Sequence, residues 1–416
     1  MSWFPAFSSR NFALLWCGLF VSNVGTWMQN VAKSWLIYRM TGNDPLYLGW
    51  LGLAFSVPMV VCPLIGGIVV DRVHRIRLLY VTQSSAMALA GLLAALNWTG
   101  TLRPWHMLFA TFVGAILLAF DNPARQSLIP GLVPPEHLQN ALSLNSATFT
   151  GAALLGPAIG GLLLERTGPE ILFLLNAVSF LAVIGALVAM RGPPPHVASR
   201  GTLRDSVFGG LAYVKRDGVV LSLLLIAALA AVCVRSYPQL LPIFADDVWN
   251  AGPRGYGALL SAGGAGALAG AVALSLRAHA SQKGRVLLLS GGLLCAAIAG
   301  FALAPSVSIA VPFLVVAGAA STTFTTIVAT LIQLRVPSAL RGRVIGLHVI
   351  TLIGLPSMGS LGLASIARFV TAHGVGTALA ARWVVATGAV VFALAVSVVV
   401  RRFGREVGLR GPADPS

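Results

Sequence analysis

Charged side chains are scarce in this sequence: 10% of its 416 residues are Asp, Glu, Lys or Arg, and only 12 of these are acidic. Soluble domains carry about 25% charged residues, so the composition excludes an ordinary water-facing surface. Hydrophobic residues make up 57% of the chain, and the mean hydropathy is +0.85. This balance excludes a soluble enzyme, a disordered chain and a nucleic-acid-binding domain, and we expect no nucleic-acid partner.

Cysteine is also scarce. The four residues Cys17, Cys62, Cys233 and Cys295 lie far apart, and no CxxC spacing occurs. This excludes a disulfide framework and a cysteine metal site. A nucleotide-binding loop of the form GxxxxGK[ST] is missing too, so ATP hydrolysis by that route is excluded. No Ser/His/Asp or Cys/His set converges at membrane depth, and we expect neither enzymatic activity nor a cofactor or metal.

Long apolar stretches, in contrast, recur from end to end of the chain. Stretches of 18 or more apolar residues indicate membrane-spanning helices, so the lipid bilayer is the expected environment of most of the protein. The sequence predicts an all-α integral membrane protein with twelve transmembrane helices. They lie near residues 12–40, 46–70, 78–98, 105–124, 138–164, 170–190, 218–245, 255–276, 286–304, 308–332, 344–366 and 375–400.

The net charge of +16 comes mainly from cations in the short loops on one side of the predicted membrane. Such a bias marks the cytoplasmic side. Because the number of spans is even, both termini are expected in the cytoplasm. The excess of Arg over Lys suits a high-GC bacterial genome, which places the protein in a bacterial inner membrane.

An internal repeat divides the chain. The segment 127–134 (SLIPGLVP) resembles 330–337 (TLIQLRVP) at an offset of 203 residues. We therefore predict two six-helix bundles in the same orientation, 1–190 and 218–400, with a cytoplasmic tail at 401–416. Parallel halves with a site between them are typical of transporters. The central linker, 191–217, is either a plain connection or carries an amphipathic helix on the membrane surface.

The loop after the second span carries the clearest motif, GIVVDRVHRIR at 67–77. It resembles the cytoplasmic loop signature of the major facilitator superfamily, with His74 in place of a glycine and Ile76 in place of a cation. The resemblance implies the major facilitator fold, with two pseudo-symmetric six-helix bundles. It also implies that this loop latches the two halves on the cytoplasmic side. The residues concerned are Gly67, Asp71, Arg72 and Arg75.

A second motif, Gly156-Pro157 followed by Gly160-Gly161, lies in the fifth span. Proline inside a helix frees a backbone carbonyl, and the glycines permit close packing against a neighbouring helix. The motif resembles the antiporter signature of exporters in this superfamily. The alternative is a generic kinked packing helix.

Three further segments, 25–35, 121–126 and 341–344, resemble the branch that holds enterobactin-type siderophore exporters and macrolide efflux pumps. Lysophospholipid transporters neighbour that branch. The resemblance implies a monomeric secondary transporter that carries out proton-coupled efflux of an amphipathic or anionic small molecule, a siderophore or a drug. The open alternatives are a lysophospholipid transporter, an importer, and a non-transporting receptor or scaffold.

Polar residues inside membrane spans are costly and usually functional. The candidate substrate-binding residues are Thr26, Gln29, Asn30 and Lys33 in the first span, Arg235 and Gln239 in the seventh, and Thr322 and Thr326 in the tenth. The repeat offset maps Lys33 to position 236, next to Arg235. We therefore predict an electropositive central cavity that selects an anionic substrate. Alternatively, Lys33 extends its amine to the outer membrane interface.

Asp121 and Arg125 are four residues apart and share a helix face. They either join Asp71 and Arg72 in a network that closes the cytoplasmic gate, or form a solvated surface pair. No Asp or Glu lies at the centre of any predicted span. The candidates for proton coupling are therefore Asp121 and His348, unless the bound anion carries the proton itself.

Overall fold

The computed structural model describes residues 4–190, 213–276 and 283–403, and within these ranges the chain forms helices and no strands. The α-helices of the described residues are α1 (Arg10–Met40), α2 (Pro45–Arg72), α3 (Arg75–Trp98), α4 (Pro104–Leu128), α5 (Leu138–Thr167), α6 (Pro169–Ala189), α7 (Gly218–Cys233), α8 (Gly252–Leu276), α9 (Lys283–Leu303), α10 (Val307–Arg335), α11 (Ser338–Ile353), α12 (Leu355–Ala372) and α13 (Thr377–Phe403).

Eleven segments of the described chain are long and apolar enough to cross a membrane. The remaining predicted span is the first one, α1. Its 31 residues are enough to cross a membrane, but its polar residues keep it out of these eleven. The all-α fold with twelve spans is thus confirmed. The predicted boundaries agree with the helices to within a few residues, except in the seventh and eleventh spans.

The seventh span is irregular after Cys233. A 3-10 turn at Tyr237–Leu240 and a π-helix at Phe244–Val248 follow α7. Pro238 and Pro242 lack the amide hydrogens that a continuous α-helix would use. The side chain of Trp249 stabilises this segment, because its indole N–H donates to the Ala304 carbonyl at 3.1 Å.

The eleventh span, predicted as one helix over 344–366, is two helices, and its predicted start was wrong. It begins at Ser338 and is interrupted at Gly354, between α11 and α12. Pro356 stands in the first turn of α12 and cannot donate a backbone hydrogen bond to the preceding turn. A new helix, α12, therefore begins after Gly354.

Two compact units divide the chain. The first comprises Met1–Asn43, Ala54–Leu203 and Gly252–Ser261; the second comprises Asp44–Leu53, Arg204–Ala251 and Ala262–Ser416. The beginning of α2 is thus grouped with the second unit, and the beginning of α8 with the first. The predicted domain boundaries at residues 190 and 218 stay a prediction, since most of the linker lies outside the described residues, as does the tail from residue 404 onward.

In the first unit, α1 packs closely against α6 through glycine. A Cβ atom built on Gly25 would lie 2.5 Å from Ser179 Oγ and 2.8 Å from Asn176 Oδ1. A Cβ on Gly18 would lie 2.8 Å from the Ala182 carbonyl oxygen. Only glycine permits this approach, which brings the polar face of α1 against α6.

We expect Gly25→Ala to destabilise the protein by about 1–3 kcal/mol, because the added methyl group overpacks a tight helix contact. The measurement is the midpoint of thermal unfolding in detergent. Gly91→Ala in α3 is the matched control, since a Cβ there meets no atom within 4 Å. Equal midpoints for the two variants would contradict the packing argument.

Candidate functional site

Asp121 of α4 lies at the centre of a buried polar cluster in the first unit. Asp121 is 3% exposed. Its Oδ1 accepts hydrogen bonds of 2.8 Å from Thr82 Oγ1 and Gln83 Nε2 of α3. Its Oδ2 pairs with Arg125 Nε at 2.6 Å. The carboxylate is therefore fully engaged, and it ties α4 to α3.

The alternative of a solvated surface pair is wrong, because the side chains of Arg125 and Asp121 are only 13% and 5% exposed. Arg75 also contacts α4, since its Nη1 donates to the Ser127 carbonyl at 3.0 Å. The surroundings of Gly67 and the side chains of Asp71 and Arg72 lie outside the described residues. Their part in a gate network stays a prediction.

The proline–glycine motif of α5 makes close helix contacts on two sides. A Cβ on Gly160 would lie 3.0 Å from Met28 Cα of α1, and Gly156 likewise faces Trp27 of that helix. On the other side, a Cβ on Gly161 would lie 2.6 Å from the Pro253 carbonyl oxygen of α8. The helix continues through Pro157. The structure thus shows helix packing at this motif, and its role in antiport stays a prediction.

Two of the predicted polar residues of α1 bind α6 instead of standing free. Asn176 Nδ2 donates to Gln29 Oε1 at 2.7 Å, and Thr26 Oγ1 donates to Asn176 Oδ1 at 3.4 Å. Ser179 Oγ donates to the same Asn176 oxygen at 3.2 Å. Sequence reasoning missed Asn176, although it is a polar residue inside a very apolar span and could have been found by that signal.

Lys33 is buried inside the first unit, where it is 9% exposed. Within the described residues its amine makes one hydrogen bond, to Thr111 Oγ1 of α4 at 3.4 Å. No Asp or Glu oxygen of the described residues lies within 4 Å of it. The structure does not show the alternative, in which Lys33 extends its amine to the outer interface. The Lys33 ammonium has three N–H donors, and some of them have no acceptor among the described residues.

Arg235 directly follows α7 in the second unit. Its Nε donates to Ser321 Oγ of α10 at 3.1 Å, whereas its buried Nη1 has no hydrogen-bond partner in the described chain. Again no carboxylate of the described residues is within 4 Å. The irregular backbone after Cys233 places it there, because the Arg235 amide bonds to the Ala230 carbonyl five residues earlier.

The remaining predicted residues differ in their surroundings. Gln239 Oε1 is buried without a hydrogen-bond partner among the described residues. Thr322 is half-buried and Thr326 exposed. The α10 residue that the structure brings to Arg235 is Ser321, next to the predicted Thr322. Sequence reasoning missed Ser321 and also Thr111, since serine and threonine are too common in membrane helices to give a signal.

His348 of α11 lies in the second unit and is 2% exposed. Neither ring nitrogen has a hydrogen-bond partner within the described residues. Its helix α11 contacts α7 and α10.

Asp217 anchors the start of α7 to the end of α10. Its Oδ1 accepts from the Val219 and Val220 amides, and its Oδ2 pairs with Arg335 Nε at 3.1 Å. Burial alone would raise the pKa of Asp217, but the Val220 amide and the Arg335 guanidinium outweigh it and lower that pKa below 3.8. Burial and the charge of Asp217 raise the pKa of Tyr213.

A shallow cavity of about 500 Å³ runs along the first turns of α5. It is lined by Pro135, Leu138, Gln139, Leu142, Ser143 and Ser146, none of which the sequence proposed. Within the described ranges, no group of three or more His, Cys, Asp or Glu residues is placed to hold a metal ion.

Asp121→Asn is expected to destabilise the protein by about 3–5 kcal/mol, because it leaves Arg125 as an unpaired buried charge. Asp121→Asn combined with Arg125→Gln should recover a large part of that loss. The measurement is a double-mutant cycle on thermal unfolding midpoints in detergent. Additive losses in the cycle would show that the two side chains do not stabilise each other.

Asp217→Asn keeps the helix cap but removes the charge pair, and the partly exposed pair contributes at most about 1 kcal/mol. Because the pKa of Asp217 is lower in the folded than in the unfolded state, its ionised carboxylate stabilises the fold at pH values above the unfolded-state pKa. This stabilisation is lost as the pH falls through the folded-state pKa. We therefore expect the variant to be less stable than the unmodified protein by a constant amount between pH 5 and 8, and the difference in stability to shrink below about pH 4. Unfolding midpoints across this range test it, and a deficit that vanishes by pH 6 would contradict it.

Comparisons with known proteins agree with this architecture. The sequence matches the major facilitator superfamily model described as transmembrane secretion effector over residues 1–402. It is 27% identical over 370 residues to the enterobactin exporter of Shigella boydii serotype 4, covering 84% of this chain and 85% of that protein. It is 29% identical over 168 residues to the staphyloferrin A transporter of Staphylococcus aureus, covering 40% and 42%.

The chain spans 42 to 60% of the length of the first four curated relatives that it matches. Among solved structures, a bacterial homologue of the human lysosomal transporter Spinster superposes with a TM-score of 0.71 at 15% identity. That superposition covers 98% of this chain and 99% of the other. At such identity the likeness shows the fold alone, and it is the fold of the two six-helix bundles.

The family model extends over nearly the whole chain, and the helices and the solved structures agree with it. The chain is a multi-pass membrane protein that belongs to the transmembrane secretion effector family of the major facilitator superfamily.

Proposed function

We propose that this transporter exports a small amphipathic molecule that carries negative charge, of the siderophore or anionic drug class, by proton-coupled alternating access. The observation that supports the proposal is a pair of cations without acidic partners among the described residues: Lys33, which is buried, and Arg235, which is half-buried and whose Nη1 is buried. Lys33 and Arg235 each lie inside one compact unit, and neither has a carboxylate within 4 Å among the described residues.

A buried ammonium or guanidinium costs several kcal/mol unless a charge of opposite sign accompanies it. Asp121 compensates Arg125, but no acidic residue of the described chain lies within 4 Å of Lys33 or Arg235. An anionic ligand offsets this cost, so the two cations favour a substrate with carboxylate, catecholate or phosphate oxygens.

The position of the cations in the repeat supports a common role. The offset of 203 residues maps Lys33 to position 236, and Arg235 is adjacent. Each cation also retains donors without a partner among the described residues: Lys33 makes one long bond there, and Nη1 of Arg235 makes none. Unused donors on buried cations are the groups that bind oxyanions in charge-assisted hydrogen bonds.

The relatives agree with this substrate class. Their names give them as an enterobactin exporter and a staphyloferrin A transporter. The same motifs made the sequence resemble the siderophore-exporter branch. We extend the proposal to location: the bacterial inner membrane, with both termini and the central linker in the cytoplasm, which follows from the positive loops.

For proton coupling, the geometry separates the two candidates. Asp121 is committed to Thr82, Gln83 and Arg125, so a proton on it would break the contacts that join α3 and α4. His348 is buried with both ring nitrogens unpartnered in the described chain, so it accepts a proton at no such cost in contacts. We therefore propose His348 as the coupling residue.

Arg235→Gln and Lys33→Met are each expected to raise the KM for an anionic substrate about 10- to 100-fold, since a charge-assisted hydrogen bond contributes about 1.5–3 kcal/mol. Transport is measured in proteoliposomes with a pH-sensitive dye inside, using a panel of a catecholate siderophore, a macrolide, a lipophilic cation and a lysophospholipid. The uncharged ester of a transported acid should be unaffected.

Arg382→Gln is the matched control, because this arginine is also half-buried in the second unit but donates to the Ala302 carbonyl. Equal loss of the acid and its ester in Arg235→Gln would contradict anion selection. Movement of labelled lysophospholipid without any dye response would favour the lipid transporter instead.

A further inference from the structure

Asn176 of α6 lies at the buried contact between α6 and α1, where it is 1% exposed. Its Nδ2 donates to Gln29 Oε1 at 2.7 Å. Its Oδ1 accepts from Thr26 Oγ1 at 3.4 Å and from Ser179 Oγ at 3.2 Å. Gly25 leaves room for this carboxamide, because a Cβ there would lie 2.8 Å from Asn176 Oδ1. The donor end of the Asn176 side chain is thus bound to α1 through Gln29, and its acceptor end is bound to hydroxyls.

The contact with Asn176 fixes which end of the Gln29 side chain is available to a ligand. A carboxamide carries an acceptor oxygen at one end and an NH2 group that only donates at the other. Because Gln29 Oε1 is bound to Asn176, Nε2 is the end that remains, and it has no acceptor among the described residues. Gln29 is half-buried, so protein atoms do not seal its side chain completely. Asn176 therefore makes Gln29 a donor.

Lys33 supplies a second donor on the same face of α1. It lies four residues after Gln29, and residues at this spacing are neighbours on a helix surface. The Lys33 amine is bound to Thr111 Oγ1 of α4 at 3.4 Å, and no Asp or Glu occurs in α1. A neutral NH2 group and an ammonium are therefore neighbours on this face. A carboxylate or a phosphate has several acceptor oxygens and can bond to both.

We propose that Gln29 Nε2 and Lys33 Nζ bind one oxyanion group of the substrate and that Asn176 is the positioning residue for Gln29, an inference that rests on the proposed anionic substrate. Asn176 does not touch the substrate. It acts by occupying the acceptor oxygen of Gln29. Because both groups at the site donate, carboxylate, catecholate and phosphate oxygens are favoured, and an ammonium group finds no acceptor there.

Asn176→Asp tests the positioning role with little change of shape. A carboxylate only accepts hydrogen bonds, so it binds Gln29 through Nε2, and the Gln29 amide then presents Oε1 to the ligand. The probe is naphthoate, with its uncharged methyl ester as the reference. The Kd is measured by isothermal titration calorimetry on the full-length protein in non-ionic detergent. We expect Asn176→Asp and Gln29→Met each to bind naphthoate about 10- to 100-fold more weakly and to bind the ester as before.

A double-mutant cycle separates the positioning role from the added negative charge. A charge at position 176 repels the anion whatever side chain stands at position 29, whereas the positioning effect needs the amide of Gln29. Asn176→Asp should therefore weaken naphthoate binding much less in the Gln29→Met background than in the unmodified protein. Gln29→Met leaves Asn176 in place, so it still tests the site if Asn176→Asp does not fold.

Asn145→Asp in α5 is the matched control. It also adds a carboxylate at a half-buried position of the first unit, and Asn145 has no hydrogen bond to Gln29 in the described chain. Its Kd for naphthoate should change little. Unfolding midpoints in the same detergent check that each variant is folded.

Equal weakening by Asn176→Asp in both backgrounds would show that charge alone acts and would overturn the positioning role. Unchanged naphthoate binding in Gln29→Met would overturn the site itself, as would absence of binding to the unmodified protein up to millimolar concentration. The proposed function is tested separately by Lys33→Met and Arg235→Gln. If these variants still lose anion transport, anion export is retained and only the Gln29 site fails; if neither variant loses it, the proposed function fails.

Discussion

Compensation of charge in a medium without water governs how this membrane protein is built. In the first unit, Asp121 compensates Arg125, and two polar groups of α3 complete the hydrogen bonding of the carboxylate. Lys33 and Arg235 lack such compensation, because each contacts a single hydroxyl and no carboxylate in the described chain. A complete pair stabilises the fold, whereas an incomplete one leaves binding energy available to a ligand.

Close helix packing makes these placements possible. Apolar side chains cannot drive helices together in lipid, so membrane helices associate through small residues and interhelical hydrogen bonds. Gly18 and Gly25 bring α1 against α6, and Gly156 and Gly160 bring α5 against α1. The polar groups of α1 then meet Asn176, and the first unit gains a hydrogen-bonded interior. The motif that resembles an antiporter signature therefore has a direct packing role, whatever its part in transport.

Much of the architecture could be predicted from the sequence because lipid imposes strong rules on composition. The apolar stretches gave the helices and most of their ends. The interruption at Gly354 was missed, since a glycine with a proline two residues later also occurs inside continuous membrane helices. The partners Thr111, Asn176 and Ser321 were missed because helix periodicity does not state which neighbouring helix each face contacts.

The sequence by itself determined the membrane environment, the number of spans, the family and the shortage of carboxylates in the second half. These follow from composition and local spacing, which do not depend on how the helices pack. Only the tertiary structure decided which charges are compensated. It buried Asp121 with Arg125, left the amine of Lys33 with one hydroxyl of the described residues, and joined Arg235 to Ser321, 86 residues away in the chain. Such pairings arise from contacts between distant helices, so no local pattern specifies them.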